Sequence, residues 1–261
     1  MKKYFFMALI AIVINSCSED ETPIVVDFEA KIEGESPDAE LLLENNSSGA
    51  DSYKWLFGEG ANVDSSFDEA PTGIKIDKAG DFSVTLVASN GSSEKELTKN
   101  ATVSGNTAII TYEDIEFANT PGSITLGRFF IVETGTILKD DEVTEENGPL
   151  IDFAYNQFSP TNTVGFFSSP DSTYDEFYVP GARPSHCVNY VDEEVLTVAQ
   201  FDAMEDDELI NDLEIVGDES ARGMHGEYLI LFRTADEQKG VIKTKGLTRE
   251  SIFVDIKVQK Y

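Results

Sequence analysis

The chain has few residues of the kinds that form disulfides or bind transition metals. Its 261 residues include two cysteines, two histidines and one tryptophan. If Cys17 serves another purpose, Cys187 has no partner for an intramolecular disulfide, so the fold must rely on its hydrophobic cores. His186 and Cys187 are adjacent and would point in opposite directions on an extended strand. With His225 the only other histidine, no motif supplies the three or four ligands of a zinc site.

Positive charge is also scarce. There are 19 lysines and arginines against 49 aspartates and glutamates, which gives a net charge of −30 at pH 7. Such a chain is repelled by phosphate groups, so the sequence argues against nucleic acid as a partner. A large net charge also keeps an exported protein soluble.

Long apolar runs are absent apart from one at residues 4–14, which follows two lysines. Eleven residues are too few to span a bilayer, which needs about 20. The run is typical of a secretory signal peptide. Ile14-Asn15-Ser16-Cys17 resembles a bacterial lipobox, although Asn15 departs from the usual small residue. The resemblance implies a signal peptide of residues 1–16 and a lipid on Cys17, and the alternative is an ordinary signal with a chance cysteine.

Residues 17–23 are interpreted as an acidic tether. Ser18-Glu19-Asp20-Glu21 resembles the export signal of Bacteroidetes-type surface lipoproteins, which implies a location on the outer membrane, facing outward. The alternative is a simple solvated linker. Cleavage before Cys17 removes two lysines and no acid, so the net charge would become −32.

From residue 24 the sequence alternates as half-buried strands do. Val26, Phe28, Ala30 and Ile32 would share one face of a strand. Further strands are predicted every eight to twelve residues, with a turn at residues 90–91, and this spacing indicates a β-sandwich. Trp55 alternates with aromatic neighbours and is predicted to lie in the core rather than to stack on a sugar.

"YKWLFGEG" followed by "KAGDFSVTLVASNG" resembles the two motifs of a PKD domain. The first motif is filled by Trp55, Phe57 and residues 58–60, where Glu59 replaces the commoner aspartate, and the second by residues 80–86. The resemblance covers residues 24–104. It implies an immunoglobulin-like sandwich that serves as a spacer, adhesion unit or accessory module, and it implies no catalysis.

Residues 108–261 are predicted to form a second, larger β-sandwich of jelly-roll type. A single strand is predicted over residues 123–138, and Gly240 and Gly246 are predicted to turn the chain into and out of a short strand. Thr197 and Gln200 form a capping-box pattern that predicts one or two short helices. The region resembles an uncharacterised C-terminal region of lipoproteins from the same phylum, which implies no activity and no site residues.

Aromatic residues are dense between residues 153 and 190, where prolines predict that the segment from 168 to 186 is largely loop. Aromatic rings on rigid loops present flat apolar area to ligands. The predicted ligand-binding residues are Tyr174, Phe177, Tyr178 and Arg183. The alternative is that the loop folds back and the rings complete the core.

No catalytic residues are predicted, because the sequence has no nucleophile elbow, P-loop or dinucleotide fingerprint. No cofactor is predicted, although two acidic segments, residues 139–147 and 202–208, offer the oxygen ligands that calcium prefers. Solvated acidic loops are the alternative. An unrecognised hydrolase would require paired carboxylates, or a histidine in a cleft, with shifted pKa values.

The sequence therefore predicts an all-β, two-domain lipoprotein that is not an enzyme. The favoured hypothesis is non-catalytic binding of carbohydrate at the cell surface, as an accessory of a glycan-uptake system. The alternative is a structural or adhesion protein that contacts another protein. Both place the chain on a membrane through Cys17.

Overall fold

The fold is nearly all β, which confirms the fold class predicted from the sequence. The computed structural model describes residues 23–157, 164–171, 177–189, 191–217, 222–223 and 227–261. The proposed signal peptide and Cys17 lie outside the described residues. No helix in the described part of the chain is long and apolar enough to cross a membrane.

Seven strands form the first pair of sheets: β1 (Phe28–Glu33), β2 (Ala39–Asn45), β3 (Ser52–Phe57), β4 (Ser65–Ser66), β5 (Ile74–Ile76), β6 (Gly80–Ser89) and β7 (Glu94–Val103). The sheets have the antiparallel orders β1-β2-β5 and β4-β3-β6-β7. Alternate residues of both sheets enclose Trp55, which is fully buried against Phe28 with ring centroids 5.1 Å apart. Its indole N–H donates to the Asp68 carbonyl at 3.1 Å, so the predicted core role of Trp55 is confirmed.

Ten strands form the second pair: β8 (Ile109–Ala118), β9 (Phe129–Ile131), β10 (Thr136–Leu138), β11 (Phe153–Gln157), β12 (Val164–Ser168), β13 (His186–Val188), β14 (Arg222–Gly223), β15 (Leu229–Arg233), β16 (Lys239–Leu247) and β17 (Ser251–Gln259). The sheets have the orders β10-β9-β11-β12-β14 and β13-β15-β16-β17-β8, again antiparallel. The core between them is rich in phenylalanine; Phe153 packs within about 6 Å of Phe130, Phe167 and Phe232. Cys187 faces this core.

Helix α1 (Val198–Ala203) covers the outer face of the second of these sheets. Thr197 caps it, and the reciprocal bonds with Gln200 confirm the predicted capping box. Lys257, on β17, donates to the Phe201 and Met204 carbonyls at 2.9 and 2.7 Å, which satisfies carbonyls at the end of the helix. Residues 208–212 form turns, so within the described residues the second short helix is not formed.

Two sequence-based predictions about where strands begin and end were wrong, and both involve glycines. Residues 123–138 form two short strands, β9 and β10, because Gly135, with φ of 66°, turns the chain between them. Gly240 and Gly246 lie within the nine-residue strand β16 rather than at its ends. A Cβ on Gly240 would lie 2.3 Å from the Phe232 ring, so this glycine is needed for packing, and Gly246 borders a β-bulge.

The two sandwiches are joined by contacts in addition to the chain connection. The Asp77 carbonyl accepts a hydrogen bond from the Ala108 N–H at 2.8 Å. The Asp77 carboxylate receives the Lys260 ammonium and the Tyr261 hydroxyl, each at 2.7 Å. The C-terminal residues of the second sandwich therefore bind the first, which favours a fixed orientation between the two.

Candidate functional site

The candidate site lies on the loop between β12 and β13. Two adjacent aromatic residues of this loop differ in their exposure to solvent. Tyr178 is 79% exposed, whereas Phe177 is half-buried and packs on Phe129 with ring centroids 5.1 Å apart. Phe177 thus completes the core, which corrects the prediction that it offers an exposed ring. Tyr174 lies outside the described residues, so of the predicted rings Tyr178 is the one that the structure places at the surface.

The loop beside Tyr178 is held by close backbone packing. Gly148 lies against Pro180, and a Cβ on Gly148 would lie only 2.0 Å from the Pro180 carbonyl oxygen. Gly181 has φ of 66°, in the left-handed region, and packs against Pro149. Val179 is buried between these contacts. Tyr178 is therefore an exposed ring on an ordered support, and little conformational entropy is lost when a ligand covers it.

Arg183 ties this loop to two neighbouring segments. Its Nε donates to the Pro149 carbonyl at 2.8 Å, and its two terminal nitrogens donate to the Asp236 carboxylate at 2.7 and 2.8 Å. These hydrogen bonds hold the pKa of Asp236 below its usual range. Both side chains remain partly exposed. The bidentate contact with Asp236 gives Arg183 a structural role, and the ligand-binding role of Arg183 stays a prediction.

Arg128 is the buried residue beneath the loop, and it was not among the residues predicted from the sequence. It is 1% exposed, its Nε donates to Asp140 at 2.7 Å, and a terminal nitrogen donates to Asn156 at 2.9 Å. Its guanidinium lies 4.4 Å from the centre of the Phe129 ring and 5.6 Å from that of Phe177. The sequence did contain a signal for this residue. Arg128 lies inside the apolar run "LGRFFIV", and a charge buried in an apolar environment requires a partner.

Asp152 is a buried carboxyl group close to Arg183. Burial raises its pKa to about 6, while a hydrogen bond from the Val132 N–H at 2.7 Å and the charge of Arg183 act in the opposite direction. The charge of Asp236, which is bound to Arg183, adds to the rise in the pKa of Asp152. A shifted carboxyl group is the feature that a hydrolase would need, but Asp152 is only 7% exposed. Its position beneath the surface favours a structural role.

The acidic segments predicted as calcium ligands use several of their carboxylates internally. Asp140 binds Arg128 and the Gly122 N–H, and Asp207 binds the Thr107 N–H and Gln259. In the described parts of the chain, no three histidine, cysteine or acidic side chains converge as a metal site would require. His186 and Cys187 point to opposite sides of β13, and His225 lies outside the described residues.

Comparisons with known proteins add little. No protein-family model and no curated protein matches the chain. A crystal structure of a DUF4466 family protein from Parabacteroides merdae is similar, with 12% sequence identity and a TM-score of 0.47, over 91% of this chain and 99% of that one. A similarity of this degree does not transfer a function, and the fold class stands on the four sheets of the chain itself.

Proposed function

We propose that the protein is a non-catalytic, lipid-anchored surface protein that binds an uncharged polysaccharide. The observation that supports this most is the exposure of Tyr178 on a loop fixed by Gly148, Pro180 and Gly181. A flat ring held at the surface suits the C–H face of a sugar. The neighbouring Arg183–Asp236 pair suits its hydroxyl groups.

The charge of the chain supports an uncharged ligand. A net charge of −30 repels polysaccharides that carry carboxylates or sulfates. Arg183, the nearest base to Tyr178 along the described chain, is already paired with Asp236. A neutral glycan meets no such repulsion.

The lipobox-like segment ending at Cys17 supports an outer-membrane anchor, and the first sandwich supports a PKD-like spacer above it. Packing explains the glycines of the motif in that sandwich. A Cβ on Gly60 would lie 2.4 Å from the Lys78 side chain, and one on Gly58 would lie 3.0 Å from the Ser83 nitrogen. The motif therefore acts as a structural element around Trp55 rather than as a ligand site.

The proposal is tested by affinity electrophoresis of residues 23–261, which contain every described strand, against plant, host and microbial polysaccharides, with and without calcium. We expect one or more neutral polysaccharides to retard the protein, and we expect Tyr178→Ala to abolish the effect. Phe67→Ala is the matched control, since Phe67 is 74% exposed on the other sandwich. A panel without retardation, or retardation that Tyr178→Ala leaves unchanged, contradicts the proposal.

A second candidate function is a protein contact through the first sandwich. Leu56, Val63 and Phe67 are 39%, 40% and 74% exposed near β4, the edge strand of its sheet. Exposed apolar side chains near a sheet edge are typical of a protein-binding surface. Cross-linking on intact cells tests this function: a partner that is captured by the native chain and lost on Phe67→Ala supports it, and one retained in that variant opposes it.

A further inference from the structure

A cleft opens where the connection from β8 to β9 meets the turn between β16 and β17. Its volume is about 340 Å³, at the lower end of the roughly 300–1,000 Å³ of small-molecule sites. The residues that line it include Thr120, Ser123, Ile124, Thr125, Arg249 and Glu250.

The walls of this cleft are fixed before any ligand arrives. Asn119 joins them, because its backbone N–H donates to the Glu250 carbonyl and its side-chain amide donates to the Thr248 carbonyl, both at 2.9 Å. The Gly122 N–H donates to Asp140 at 2.8 Å, which ties the middle of one wall to the 3-10 turn that follows β10. A preformed cleft binds with less loss of conformational freedom than a flexible loop.

Arg249 is unusual among the arginines whose side chains are described. The other three each bind a carboxylate: Arg128, Arg183 and Arg233. Within the residues that the structure describes, the side chains of Arg249 and Glu250 have neither an ion pair nor a hydrogen bond. In a chain with 49 acidic residues, an unpaired arginine beside an unpaired glutamate leaves donors and acceptors free for a ligand.

Ile124 adds an apolar surface to these polar groups. It is 86% exposed, the highest value among the large apolar residues that the structure describes, and its neighbours Ser123 and Thr125, whose hydroxyl oxygens lie 3.5 Å apart, also line the cleft. A ligand that matches this lining has an apolar face and several hydroxyl groups. Arg249 and Glu250 cancel in charge, and the chain is strongly acidic, so the ligand should be uncharged.

We propose that this cleft binds one uncharged sugar residue, as a second contact for the glycan of the Tyr178 site; the ligand class rests on the proposed function. The two sites share one support. Asp140 holds Gly122 in the cleft wall and also holds Arg128, whose guanidinium lies under the Phe177 ring next to Tyr178. Two weak contacts to one chain reinforce each other through effective concentration.

The test follows the Ile124 methyl resonance in residues 23–261 labelled with carbon-13 at isoleucine methyl groups. The probes are glucose, galactose, mannose, xylose and N-acetylglucosamine at millimolar concentration, with glucuronate and galacturonate as charged counterparts. We expect a saturable shift with at least one neutral sugar, lost in Arg249→Ala. Lys54→Ala is the matched control, since Lys54 is another exposed base without a partner among the described residues, and it should retain the shift.

Three results would overturn the inference: no shift with any neutral sugar, a shift that persists in Arg249→Ala, or a shift confined to the two uronates. The Tyr178 site is judged separately. If a polysaccharide retards the protein through Tyr178 while the Ile124 resonance is unmoved, the cleft inference alone fails. If Ile124 responds in Tyr178→Ala and no polysaccharide retards the native protein, the cleft stands and the proposed function fails.

Discussion

Removal of the Arg128 side chain should destabilise the second sandwich strongly and the first sandwich little. Arg128 is 1% exposed and Asp140 is 17% exposed at the side chain, so Arg128→Ala removes the guanidinium donor from the Asp140 carboxylate and from the Asn156 amide oxygen in a largely dry environment. Breaking a buried ion pair on one side costs about 3–5 kcal/mol. That is a large part of the roughly 5–15 kcal/mol by which a domain is stable.

Hydrogen-exchange mass spectrometry along a urea series measures this free energy of unfolding for each peptide. Peptides from β9 and β11 should lose about 3–5 kcal/mol of unfolding free energy, because Arg128, which directly precedes β9, donates to Asn156 of β11. Trp55 is the only tryptophan and lies in the first sandwich, so its fluorescence reports the unmutated half in the same sample. Arg128→Lys keeps the charge but not the planar fork, and should fall between native protein and Arg128→Ala. A loss below about 1 kcal/mol, in the range of an exposed ion pair, would refute the reasoning.

Three further predictions concern buried acidity, packing and anchoring. Burial raises the native pKa of Asp152 to about 6, so the native state favours the protonated carboxyl group. The stability that this group contributes is fully present below its unfolded pKa near 4 and is lost as pH rises through 6. Asp152→Asn should therefore be more stable than native protein at pH 8, by about 1–3 kcal/mol in urea unfolding, and should lose that advantage below pH 4. Gly148→Ala should lower the melting temperature by several degrees, since its Cβ would meet a carbonyl oxygen at 2.0 Å, while Gly246→Ala, with open space around it, should not; equal melting temperatures would contradict this. Cys17→Ala should abolish metabolic labelling with palmitate and release the protein from membranes, while Cys187→Ala should keep both; labelling that survives the first change would refute the anchor.

The period-2 patterns were sufficient to predict the main strands of the first sandwich and the buried role of Trp55, because the sheets there are buried on one face only. The capping box at Thr197 likewise predicted helix α1, since side-chain and backbone bonds there are local. The structural role of a glycine could not be predicted from its sequence neighbours. Gly240 is required by the ring of Phe232 from a neighbouring strand, and a long-range packing contact leaves no local signal in the sequence.

The candidate site was only partly predictable. Phe177 and Tyr178 are adjacent aromatic residues on one loop, and sequence alone could not decide which ring faces the core. The decision depends on Phe129 and Arg128, which lie about 50 residues earlier in the chain. The cleft at Ile124 and Arg249 was missed because its two walls are more than 120 residues apart, and hydroxyl and charged residues in turns are common.

The central claim is that Tyr178 is the main contact for an uncharged polysaccharide. The most direct measurement compares the dissociation constant of residues 23–261 for the best polysaccharide of the panel with those of Tyr178→Ala and Phe67→Ala. The account predicts at least a tenfold loss for Tyr178→Ala, equal to about 1.4 kcal/mol, and no change for Phe67→Ala. Equal affinities for native protein and Tyr178→Ala, or a loss confined to Phe67→Ala, would contradict it.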